Sequence, residues 1–238
     1  MQQTCGMILF PGMTQLDVTG PYEVLCRVPE MRVTLLGVDL EPIRTEHGMI
    51  LNPERAFADA GQLDILCIPG GTSINDTLLD RRYLDFVAAA GSRASWVTSV
   101  CTGSLLLGAA GLLRGYRATT HWRSIEFLEA FGAIPVADER VVADRNRITA
   151  AGVSAGIDFA LLLASKICGD AMAQQIQLGI EYDPSPILNS GHPRSAPVDV
   201  VAAVEKKLTA AIERRRASVK QAAENLRNQL AVTERAQA

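Results

Sequence analysis

The stretch Trp96-Val97-Thr98-Ser99-Val100-Cys101-Thr102-Gly103-Ser104-Leu105-Leu106-Leu107-Gly108-Ala109-Ala110 passes from strand to helix across a single residue. Trp96 to Val100 is apolar and β-branched, as a buried strand should be. Gly103 permits a sharp turn, and Leu105 to Ala110 reads as helix. A strand that runs straight into a helix lifts the connecting side chain above the edge of a sheet. Here that side chain is Cys101. Parallel sheets flanked by helices bind their ligands at the carboxyl ends of the strands, which is where such an elbow lies.

Working outward, short apolar runs alternate with helical patterns along the chain, the signature of βαβ units. Gly6 to Phe10, Arg32 to Gly37 and Asp64 to Pro69 read as strands, and the continuously apolar last of these as a central parallel one. Thr45-Glu46-His47-Gly48 lies in a hairpin between Ile43 and Leu51. Val141-Val142 and Ile148-Thr149-Ala150 bracket a polar turn. Helices are expected over 15–28, 76–92, 105–110, 122–131, 154–167 and 171–182. The fold class is therefore α/β, a mostly parallel sheet with helices on both faces. A loop with Pro184, Pro186, Gly191, Pro193 and Pro197 separates residues 1–195 from a helical extension at 196–238. Val198, Val201, Val204, Leu208 and Ile212 give that extension an apolar stripe. Past Glu213 the stripe thins, so Arg214-Arg215-Arg216 reads as solvated.

Composition narrows the function classes. The 238 residues are 48% apolar and 21% charged, which excludes a mostly disordered chain. The net charge of −3 argues against a nucleic-acid partner. No apolar run reaches the roughly 18 residues of a membrane helix. Met1-Gln2-Gln3-Thr4 has no cationic leader, so a cytoplasmic protein is expected. Cys5, Cys26, Cys67, Cys101 and Cys168 are odd in number and widely spaced. With three histidines, they give neither a disulfide framework nor a metal site, and no metal or organic cofactor is expected.

Four segments carry candidate chemistry. Cys101 is either a nucleophile or a small buried residue at a packing point. The start of a helix is expected to lower its pKa. Asp17, in Gln15-Leu16-Asp17-Val18-Thr19-Gly20-Pro21, either caps a helix or faces Cys101 across the sheet top. Pro69-Gly70-Gly71-Thr72 either lets backbone amides approach a ligand or is a plain tight turn. His121, in Ala118-Thr119-Thr120-His121-Trp122, is a partner for the thiol, a pocket wall or a structural residue.

Together these segments, with Ala155-Gly156-Ile157-Asp158-Phe159-Ala160-Leu161, resemble the ThiJ/PfpI superfamily over residues 5 to 195. Its fold is a flavodoxin-like sandwich with a cysteine at a nucleophile elbow. Within it the chain looks like the bacterial isocyanide hydratases, because Thr102 rather than His follows Cys101 and the first-loop acid is Asp17 rather than Glu. The resemblance implies Cys101 as nucleophile and Asp17 as acid/base. It places backbone donors at the amides of Gly71 and Thr102, with His121 and Trp122 as pocket residues. It also implies a homodimer and a small apolar isocyanide as substrate, hence an apolar pocket. Two other readings remain. AraC-type regulators carry a similar domain before a helix-turn-helix domain, so a non-catalytic sensor is possible, although only about forty residues follow Pro197 here. Another cysteine hydrolase or glyoxalase of the superfamily is the other.

Overall fold

A computed structural model of the chain describes residues 2–237. In chain order the elements are β1 (Gln3–Ile8), α1 (Gln15–Leu25), β2 (Met31–Gly37), β3 (Ile43–Arg44), β4 (Ile50–Leu51), β5 (Arg55–Ala56), β6 (Ile65–Ile68), α2 (Ile74–Thr77), α3 (Arg81–Gly91), β7 (Trp96–Val100) and α4 (Gly103–Ala109). They continue with β8 (Arg117–Ala118), β9 (Ile134–Pro135), β10 (Val141–Asp144), β11 (Arg147–Ala150), α5 (Ala155–Cys168), α6 (Asp170–Gly179) and α7 (Val198–Gln237).

Seven strands form one sheet in the order β10-β11-β7-β6-β1-β2-β5. Every neighbouring pair is parallel except β10 with β11, the hairpin that closes one edge. The central strand β6 (ILCI) is buried at all four positions, and this explains why it is continuously apolar. Helices α1, α5 and α6 pack together in one layer, and α2, α3, α4 and α7 in another. The mostly parallel α/β sandwich read from the sequence is the observed architecture. No helix among the described residues is long and apolar enough to cross a membrane.

Three expectations change in detail. The helix over 76–92 is two pieces, because Asp80 interrupts it and caps α3 by accepting from the Arg82 N–H at 2.9 Å. The segment Trp122–Phe131 is 3₁₀ rather than α-helical, and Gly132 in the left-handed conformation (φ 75°) ends it. The largest change is in α7. Past Glu213 it is not solvated: Arg215, Val219, Ala222, Ala223 and Leu226 are buried. They form the stripe that rests on α2, α4 and the 3₁₀ segment. Arg216 does stay at the surface, paired with Glu126.

This packing makes α7 part of the core. Leu226→Ala is expected to lower unfolding stability by about 2–3 kcal/mol, the lower range for a buried leucine. Urea unfolding measures it, and an unchanged midpoint would mean that α7 is detached in solution.

Candidate active site

The elbow has the backbone that a strand-to-helix switch requires. Cys101 sits at φ 54°, a left-handed conformation that non-glycine residues adopt under constraint. Its N–H donates to the carbonyls of Ala151 (2.8 Å) and Ala150 (3.1 Å), and its own carbonyl accepts from the Thr120 hydroxyl at 2.8 Å. The Pro69-Gly70-Gly71 turn presses against it with no side chain between. A Cβ on Gly70 would lie 2.5 Å from the Thr102 nitrogen, and one on Gly103 would lie 2.2 Å from the Ile68 carbonyl oxygen. The paired glycines thus serve close backbone approach.

Asp17 lies in the first turn of α1, but its side chain does not cap that helix. Oδ2 accepts from the Gly70 N–H at 2.8 Å, across the sheet top. Oδ1 is buried with no conventional donor. The Cys101 thiol is a titratable neighbour that favours the ionised carboxyl. Of the two readings of Asp17, the structure has the one that faces Cys101. Burial, reinforced by Glu46, raises its pKa to about 7, and the bonds from Gly70 and Cys101 hold back a further rise.

Cys101 departs from expectation. Its thiol is pushed well above the usual range rather than lowered. Burial is the main cause and the Asp17 carboxylate the second. The opposing groups are the N–H bonds of Val153 and Thr102 and the charge of Arg215. A helix of seven residues does not outweigh the desolvation of a cysteine that is 5% exposed. Val153 is a second constrained position, a β-branched residue at φ 21°. The Thr102 amide faces sulfur, whereas the Gly71 amide donates to the Thr102 hydroxyl at 3.0 Å.

A cavity of about 160 Å³ opens beside the sulfur. Gly71, Thr102, His121 and Val153 line it, and Leu208, Ala211, Ile212 and Arg215 of α7 add a further wall. Its lining is mainly apolar, as expected, but Glu46, Arg123 and Arg215 also face it. Glu46 accepts from the Thr14 hydroxyl at 2.8 Å. His121 stays neutral near pH 7: burial, then Arg215 and Arg123, lower its pKa to about 4. Its Nδ1 accepts from the Arg123 N–H at 3.3 Å. Trp122 does not line this cavity; it faces a separate one of about 580 Å³, whose wall His121 shares. Among the described residues no group of three or more His, Cys, Asp or Glu is placed to hold a metal ion.

Glu46, Arg123, Val153 and Arg215 escaped the sequence reading. For Arg215 a signal existed. Leu208, Ile212, Arg215, Val219, Ala222 and Leu226 follow the helical spacing of one buried stripe, and Arg215 takes a core position in it.

Known proteins resemble this chain in sequence and in fold. The model of the DJ-1/PfpI family matches residues 4–166. Isonitrile hydratase of Pseudomonas putida is 46% identical over 93% of this chain and 96% of its own length. A ThiJ/PfpI family protein from Pseudomonas syringae superposes with a TM-score of 0.89 at 38% identity, covering 92% of this chain and 90% of that one. The transcriptional regulator GbdR of Pseudomonas aeruginosa is 26% identical over 76% of this chain but only 51% of its own length. The chain belongs to the DJ-1/PfpI family.

Proposed function

We propose that the protein hydrates isocyanides to N-formamides, with Cys101 as nucleophile and Asp17 as acid and base. The observation that carries this reading is the Cys101–Asp17 pair, held at a constrained elbow beside a small cavity. The 46% identity to an isonitrile hydratase supports it.

The pair can run the reaction R–NC + H₂O → R–NH–CHO. In the resting site sulfur keeps its proton, and Asp17, titrating near neutrality, is the group able to take it. As sulfur attacks the terminal carbon, the proton passes to Asp17 and on to that carbon, giving the thioimidate R–N=CH–S. The Asp17 carboxylate then removes a proton from water, which adds to the same carbon. The imino nitrogen receives that proton. Collapse forms the formamide C=O and expels sulfur, and the hydroxyl proton returns to sulfur through Asp17. The amides of Val153 and Thr102, aimed at sulfur, stabilise charge there during attack and departure. Neutral His121 is a wall of the site.

A homodimer in the cytoplasm belongs to the same proposal. Ile187 (99% exposed) and Val198 (85% exposed) offer apolar surface to a second copy. Sedimentation at micromolar concentration should give twice the 25.6 kDa chain mass, and a lone monomer would reject it.

Cyclohexyl isocyanide is the first substrate to test, by following formamide formation. Cys101→Ala should abolish turnover. Asp17→Asn should lower kcat by about 10²–10⁴, the usual worth of a positioned proton donor. Rapid quench of the wild type should add the substrate mass to the Cys101 peptide. Turnover by Cys101→Ala rejects the covalent route, and binding without any formamide favours a sensor.

The proton coupling has its own test. The Asp17 carboxylate helps to push the thiol up, so Asp17→Asn should let Cys101 ionise at lower pH. Iodoacetamide labelling of the Cys101 peptide, followed from about pH 7 to about 10, should shift to lower pH in the variant. Superimposable profiles would show that the two groups do not interact.

A further inference from the structure

The cavity beside Cys101 has two unlike sides. Glu46 lies toward Asp17, whose ionisation it opposes. Arg123 and Arg215 lie toward His121, whose protonation both oppose. An isocyanide group is neutral and makes no demand for a cation, yet two guanidinium groups are brought to it.

Arg215 is the more telling of the two. It is 6% exposed, on the face of α7 that covers the site. Its Nε donates to Asn75 Oδ1 at 3.1 Å and its Nη1 to Ser124 Oγ at 2.8 Å. Both partners are neutral. No carboxylate among the described residues forms an ion pair with it, and its Nη2 makes no hydrogen bond to them. Burying a cation without a counter-charge is strongly unfavourable, and a guanidinium held by neutral acceptors at its other nitrogens is poised for a planar anion. Arg123 adds to this. Its Nε is buried without a partner, and its Nη1 meets Glu205 Oε1 only at 3.5 Å.

We propose that Arg215, with Arg123 beside it, is an anion subsite that takes a carboxylate carried by the isocyanide, so that short isocyano-carboxylates are the preferred substrates. The proposal rests on the hydratase reading above and names the substrate class for that site. A cavity of about 160 Å³ limits the class to small members. It is well below the roughly 300–1,000 Å³ of sites for drug-sized ligands. With the carboxylate on Arg215, the isocyano carbon points back toward sulfur and Asp17, where the reaction takes place.

The wild-type protein provides the first test. kcat/KM for isocyanoacetate should exceed that for its methyl ester by at least about tenfold, because the ester leaves the buried cation unpaired. In Arg215→Met that ratio should fall to about one, and Arg215→Lys, which keeps the charge, should restore part of it. A binding readout needs no turnover: N-formylglycine should protect the Cys101 peptide from iodoacetamide, and its methyl ester should not. Equal kcat/KM for acid and ester in the wild type overturns the subsite. So does an equal fold loss on both in Arg215→Met, which would make Arg215 a counter-charge to sulfur. If Arg215→Met does not fold, by circular dichroism, the wild-type ratio and the protection experiment still decide. If neither cyclohexyl isocyanide nor isocyanoacetate yields a formamide, the hydratase reading fails. Protection by N-formylglycine alone then still supports an anion subsite, and its absence removes that too.

Discussion

Backbone meeting backbone is the constraint on which this site depends. The elbow at Cys101 and the turn at Gly70 approach so closely that neither Gly70 nor Gly103 has room for a Cβ. That approach turns the Gly70 amide toward Asp17 and holds Asp17 where it meets the thiol. The left-handed conformation of Cys101 is sustained from the β11 side, through the Ala150 and Ala151 carbonyls that its N–H bonds. Strand order and helix placement matter for function because they bring β6 and β7 side by side, with their carboxyl ends level.

Desolvation then sets the chemistry. Burial raises both the acid and the thiol, so the pair resists holding two negative charges, and near neutral pH the carboxyl rather than the thiol is the group that titrates. The amides of Val153 and Thr102 and the charge of Arg215 work in the opposite direction on sulfur. Residues of α7 line the cavity and the charge of Arg215 acts on the thiol, so the helix is an electrostatic component of the site as well as a packing one.

The sheet was legible because parallel strands buried on both faces must be apolar throughout, as Ile65 to Ile68 are. The elbow was legible because strand and helix abut with one residue between. Asp17 stood out as a carboxylate among apolar neighbours, although only the fold could choose between cap and partner. Glu46, Arg123 and Val153 were hidden because their roles arise from long-range proximity. Val153 looks like any apolar residue until its backbone is seen at φ 21°. Arg215 was misread for a different reason. Three consecutive arginines suggest a solvated cluster, whereas helical geometry sends Arg215 inward and Arg216 outward to Glu126. The lowered thiol pKa follows from a local rule, the helix N-terminus, that takes no account of a helix arriving from the far end of the chain.

That late arrival bears on the order in which the site is assembled. Arg215 bonds Asn75 across 140 residues and Ser124 across 91. Every strand of the sheet precedes it in the sequence. A chain growing from its N-terminus therefore holds every strand and the whole Cys101 elbow before the Arg215 wall of the cavity has been made. The site is complete only when α7, the last element, docks on α2, α4 and the 3₁₀ segment.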